Sequence, residues 1–123
     1  MSQTQTTAIP TIGTEELQAR LEQGGAFQFW NVLTPEYFKN ELIPGSLHVP
    51  LDRIGREMSR LQLSKDAEIV VYCAGPTCPQ SRQAAEKLIT LGYANVRAYE
   101  EGLEGWKRAG YAVTHFTRTN AAA

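Results

Sequence analysis

The stretch VVYCAGPTCPQSRQAAEKL, Val70 to Leu88, decides how the rest of the chain is read. It opens on β-branched and aromatic residues without polar alternation, the pattern of a strand buried on both faces of a parallel sheet. It closes on a helical segment, Ser81 to Gly92, in which Ala84, Leu88 and Leu91 fall on the inward side. Ser81 is the expected cap of that helix and Gly92 its stop. Between strand and helix lies a short loop that holds both cysteines of the chain, Cys73 and Cys78.

Outward from this unit, the same alternation of strand and helix repeats. Upstream, TEELQARLEQGG reads as a helix with Thr14 as N-cap, Leu17 and Leu21 on one face, and Gly24 or Gly25 at its end. FQFWNVL then reads as a largely buried strand, TPEYFKN as a short helix opened by Pro35, and IPGS as a turn. In LDRIGREMSRL, Asp52 is placed to cap a helix whose Ile54, Met58 and Leu61 share a face. Downstream, NVRAY is a short strand and GLEGWKRAG a short helix with Leu103 and Trp106 on one side and Gly110 after it. Strands separated by helices at these spacings predict an α/β domain with a central, mainly parallel sheet flanked by helices. We expect one domain over residues 9–116, with 1–8 a disordered arm and 117–123 a flexible tail.

Composition narrows the function classes. The 123 residues are 42% apolar and 20% charged, enough for one soluble globular core. The net charge is −1 and no basic block exists to neutralise phosphates, so neither nucleic acid nor a membrane surface is an expected partner. No apolar run approaches the roughly 20 residues that span a bilayer. MSQTQTTAIP lacks a basic segment followed by an apolar one, so no signal peptide is expected and the cytoplasm is the expected location. In a reducing compartment, two cysteines point to catalysis, redox chemistry or metal binding before a structural disulfide.

Cys73 closes the most hydrophobic strand, and in parallel sheets ligands collect where strands end and strand-to-helix loops gather. A thiol is a useful nucleophile only as thiolate, so something must lower its pKa from about 8.5. Loop amides and the positive end of the following helix would supply this, with Gly75 free to take unusual dihedrals. Pro76 and Pro79 cut against it, because neither has an N–H to offer.

The chain also resembles the single-domain rhodanese (sulfurtransferase) family over nearly its whole length. IPGSLHVPL resembles the segment ahead of the sheet, VVYCAGP…SRQAAEKLITLGYANV the active-site strand, loop and helix, and YEEGLEGWKRAGYAV the closing Gly-Trp helix. The resemblance implies a three-layer α/β domain and a cysteine that takes a sulfane sulfur as a persulfide and hands it to a thiophilic acceptor. By register that cysteine is Cys73, with Ala74, Gly75, Pro76, Thr77, Ser81 and Arg82 around the substrate. No cofactor is implied. The partners are a small sulfur donor or persulfide carrier, an acceptor thiol and possible protein partners. Where the family runs C-x-x-G-x-R-S, the loop CAGPTCPQS is two residues longer and has Cys78 in place of the arginine. NVL replaces D-V-R after the first strand, and Glu101 stands in the family's E-G-G. Without the bidentate arginine, thiosulfate loses its natural partner, and an organic or protein persulfide fits as well.

Other readings of the pair stay open. Cys78 is either a resolving thiol for Cys73, releasing sulfur and leaving a disulfide, or itself the nucleophile at the helix start. A thiol/disulfide redox protein and a non-catalytic rhodanese-fold binding or regulatory module are the alternatives. A C-x5-R phosphatase loop fails, because Pro79 stands where the arginine is needed. No metal is expected: His48 and His115 are not at ligand spacing from the pair. Arg82 is expected near the mouth, His48 in a structural hydrogen bond, Trp30 and Trp106 in the core, and Asn31 within reach of the loop. Glu100 and Glu101 are a surface pair unless one anchors the loop.

Overall fold

The computed structural model describes residues 9–24 and 27–115. In chain order the elements are α1 (Thr14–Gln23), β1 (Gln28–Asn31), β2 (Glu41–Leu42), β3 (Leu47–His48) and a 3-10 turn (Leu51–Arg53). Then follow α2 (Ile54–Leu61), β4 (Ile69–Tyr72), α3 (Gln80–Thr90), β5 (Val96–Tyr99), α4 (Gly102–Arg108) and β6 (Thr114–His115). Four strands form a parallel sheet in the order β3-β1-β4-β5, and β2 and β6 make a small antiparallel ribbon. All four residues of β4 are buried, as its unbroken apolar run requires for a central strand.

Layering follows from connection handedness. The links β3-α2-β4 and β4-α3-β5 both run toward β5, so right-handed crossovers put α2 and α3 on one face. Tyr72 and Tyr99 are register partners and share the other face. There the Tyr99 hydroxyl meets Thr14 Oγ1 of α1 at 2.6 Å, and its ring meets Trp106 of α4 edge-on at 6.5 Å. The expected three-layer α/β architecture is therefore present, with Trp30 and Trp106 in its core.

Several local expectations are corrected. Gly13, not Thr14, is the N-cap of α1: its carbonyl already accepts from Leu17 N, which leaves Thr14 pointing inward to Tyr99 and Glu101. At the other end Gly24, with φ of 72°, closes the helix. Residues 34–40 form a turn rather than a helix opened by Pro35. Phe38 N reaches back to Thr34 O, but Asn40 then takes a φ of 66° and the chain leaves helical geometry. Asp52 caps nothing, because Pro50 leads into the 3-10 turn and the regular helix starts only at Ile54. Helix α3 starts at Gln80 with Pro79 at the cap position, so Ser81 lies inside its first turn. Leu91 follows the last helical residue and is 41% exposed; Ala84, Ala85 and Leu88 face inward instead. The 1–8 arm, Gly25, Phe116 and the 117–123 tail lie outside the described residues. Among those described, no helix is long and apolar enough to cross a membrane.

Tyr72 ties β4 to the turn at Ile43–Ser46. Its buried hydroxyl accepts from Ile43 N at 2.9 Å and pairs with Ser46 Oγ at 2.7 Å. Substituting Tyr72→Phe strands that amide in the core, a loss of about 1–3 kcal/mol. Urea unfolding will show a lower midpoint with an unchanged slope, and an unchanged midpoint would contradict the assignment.

Candidate active site

At the carboxyl end of β4 the chain enters the cysteine loop, and α4 holds it there. Leu103 N donates to Cys73 O at 3.1 Å and Glu104 N to Ala74 O at 2.8 Å. These amides open α4 and have no partner inside the helix, so the loop satisfies them as it is fastened. The approach is close enough to exclude a side chain at Gly102. A Cβ there would sit 2.5 Å from Cys73 O and 2.8 Å from Gly75 N, and its φ of 62° is itself a glycine conformation. Gly75 is not in the left-handed region, contrary to expectation. What crowds its α-carbon is the Glu104 side chain, 2.7 Å from where a Cβ would stand.

Within the loop, Cys78 N donates to Gly75 O at 3.0 Å, closing a turn with Pro76 and Thr77 exposed at its tip. Cys73 is 1% exposed. Its Sγ accepts from Ser81 N at 3.4 Å and donates to Cys78 O at 3.4 Å. Of the loop amides, that of Cys78 is spent on the turn, and the amide given to the sulfur is that of Ser81.

A carbonyl aimed at the sulfur favours the thiol form, as does the lack of water around it. Burial pushes the Cys73 thiol up to about 11, with the neighbouring Cys78 side chain as the next cause and the Ser81 hydrogen bonds opposing both. This overturns the expected depression of the Cys73 pKa. Proximity to a helix start lowers a thiol pKa only when its effect exceeds desolvation.

Cys78 differs in its surroundings. It is half-buried and lines a groove of about 570 Å³ that does not include Cys73. Leu33, Tyr37 and Lys39 line it together with Ala74, Cys78 and Pro79. Gln80 braces the groove: its Oε1 accepts from Thr34 N and its Nε2 donates to Thr34 Oγ1, both at 3.1 Å.

Of the other expected site residues, Arg82 is exposed and forms an ion pair with Glu100 at 3.2 Å. His48 contacts Leu33 O at 2.7 Å and stacks on Phe38 at 3.7 Å, while burial pulls its pKa down. It has the structural hydrogen bond expected of it. Asn31 is buried, accepting from Leu33 N and donating to Glu41 O rather than to the cysteine loop. Glu101 accepts from Thr14 Oγ1, so the backbone of Leu103 and Glu104, rather than either glutamate side chain at 100 or 101, anchors the loop. Among the described residues, no three His, Cys, Asp or Glu side chains converge as a metal site would need. Tyr37, Lys39, Gln80 and Gly102 escaped the reading of the sequence as site residues. The family's E-G-G offered a signal for Gly102 alone, because the others reach the site through tertiary packing.

Comparison with known proteins matches residues 13–109 to the family described as "Rhodanese-like domain". A sulfurtransferase from Allochromatium vinosum is 29% identical over 105 residues, 85% of this chain and 94% of its own length. A thiosulfate sulfurtransferase of Pseudomonas syringae is 29% identical over 101 residues, 82% of this chain and 90% of its own. The crystal structure of an Anabaena protein superposes with a TM-score of 0.76 at 28% identity, covering 90% of this chain and 85% of that one.

Substituting Gly102→Ala forces a left-handed alanine worth about 1–2 kcal/mol before any clash with Cys73 O. Denaturant unfolding will show that loss, and alkylation of Cys73 will accelerate as the loop shifts. Alkylation also has a defined pH profile. Only the thiolate reacts, and the raised pKa keeps its fraction small near neutrality. Labelling at Cys73, followed by peptide mass spectrometry, therefore rises with pH through a midpoint near 11. In Cys78→Ser the midpoint moves to lower pH; a wild-type midpoint in the ordinary thiol range of about 8.5 to 9 would contradict the burial.

Proposed function

The chain belongs to the rhodanese-like domain family, and on that basis we propose that it is a sulfurtransferase carrying sulfane sulfur as a persulfide on Cys73. One observation supports this most directly: Cys73 Sγ, at the carboxyl end of the central strand, accepts the Ser81 amide from the first turn of α3. The same amide remains available to sulfur that bears negative charge. Transfer needs no cofactor. Overall, the outer sulfur of the donor becomes bonded to Cys73 as the donor's S–S bond breaks, and the donor leaves as a thiolate. An acceptor thiol then takes the outer sulfur and regenerates Cys73. In the resolving variant, Cys78 attacks the inner sulfur, forms a Cys73–Cys78 disulfide and expels sulfide. The donor expected from the loop is an organic or protein persulfide, since no arginine forks toward the site within 73–81.

A specific contact also favours a second reading. Cys73 Sγ lies 3.4 Å from the carbonyl oxygen of Cys78, which sets the two cysteines side by side on one loop as a thiol/disulfide redox protein would need.

Mass spectrometry after incubation with glutathione persulfide separates these readings. A single added sulfur on Cys73 that transfers to a second thiol is the expected result. Formation of the internal disulfide under mild oxidation, with no sulfur adduct from any donor, would establish the redox reading. Absence of both would leave a non-catalytic rhodanese-fold module.

A further inference from the structure

The two thiols divide access and shelter between them. Cys78 lines the open groove, whereas Cys73 is 1% exposed and sits beneath the loop with its Sγ 3.4 Å from the Cys78 carbonyl. A donor arriving from solvent therefore meets Cys78 first. Direct attack by Cys73 is disfavoured twice, by lack of access and by its thiol form. Lifting a thiol from 9.0 to about 11 lowers its thiolate fraction near neutrality about a hundredfold. Transfer between neighbouring groups on one loop escapes the first of these obstacles and gains from proximity.

The groove also restricts the donor. At about 570 Å³ it is of a size for a small organic molecule, far larger than thiosulfate needs. Among the described residues that line it, Lys39 is the one cation and none is a carboxylate, while Leu33, Tyr37, Ala74 and Pro79 make it largely apolar. That charge distribution fits an organic stem carrying a carboxylate, with the sulfur end toward Cys78.

We propose that Cys78 is the entry thiol: it takes the sulfur of a carboxylate-bearing organic persulfide bound in this groove and passes it to Cys73. This rests on the sulfurtransferase reading. In the first step the Cys78 thiolate attacks the outer sulfur of R–S–SH, giving Cys78–S–SH and releasing RS⁻. In the second the Cys73 sulfur attacks that same outer sulfur, giving Cys73–S–SH while Cys78 returns to a thiol by taking the Cys73 proton. One S–S bond forms and one breaks in each step, and no oxidant or reductant is consumed.

The test is rapid-quench loading with glutathione persulfide, followed by alkylation and peptide mass spectrometry, on wild type, Cys73→Ser, Cys78→Ser, Cys78→Ala and Lys39→Gln. In wild type the persulfide is expected on Cys78 before Cys73. Cys73→Ser should accumulate it on Cys78. Both Cys78 variants should load Cys73 more slowly by about tenfold or more. Lys39→Gln should raise the half-saturating donor concentration about two- to fivefold, the effect of losing one exposed ion pair. Wild-type loading of Cys73 in both Cys78 variants would overturn the entry role, and an unchanged half-saturation would overturn the part given to Lys39. A wild-type protein that loads neither cysteine would overturn the sulfurtransferase reading itself, and this proposal with it.

Discussion

The site depends on one close contact, the approach of Gly102 to the carbonyl of Cys73. A side chain at 102 would overlap that oxygen, so the start of α4 can lie against the loop only because residue 102 has no Cβ. With it seated there, the Leu103 and Glu104 amides take the Cys73 and Ala74 carbonyls, and the loop is held from behind. These bonds serve both partners, since buried carbonyls and unpaired helix-start amides would each be costly alone. The backbone of the cysteine is thus held by an element that follows it by about one βα unit, as well as by contacts within its own loop.

Holding the loop this way has a chemical consequence. Cys73 is pressed into the interior, where desolvation outweighs the Ser81 amide and keeps the thiol protonated. Reactivity and shelter are opposed at one atom, and the longer loop separates them between two. Its turn from Gly75 to Cys78 brings a second thiol to the surface of the groove while directing that residue's carbonyl at the first. A shorter loop with an arginine in this place would offer charge to an anionic donor, whereas this one offers a thiol and an apolar wall.

How much of this is legible in the sequence varies with the range of the interaction. Val70 to Leu88 showed its strand and helix because burial on both faces of β4 and one face of α3 writes itself into local spacing. Helix starts were read less well. Thr14, Asp52 and Ser81 each have the right chemistry for a cap, yet Gly13, Arg53 and Pro79 hold those positions. In each case the polar side chain or amide had a tertiary use that outweighed the cap, or a preceding turn shifted the start. The 34–40 segment has helix-compatible residues but too few turns to pay for nucleation, so it stops after one.

The sequence by itself determined the α/β class, the central place of β4, and the presence of Cys73 and Cys78 on one strand-to-helix loop. These follow from periodicity and chain order, which are local and survive without knowing what packs on what. Only the tertiary structure decided which thiol is buried, which meets the groove, and that Lys39, Tyr37 and Gln80 stand beside them. Solvent access and desolvation are sums over neighbours brought from distant parts of the chain, and they set the pKa of Cys73 more strongly than its adjacent residues do.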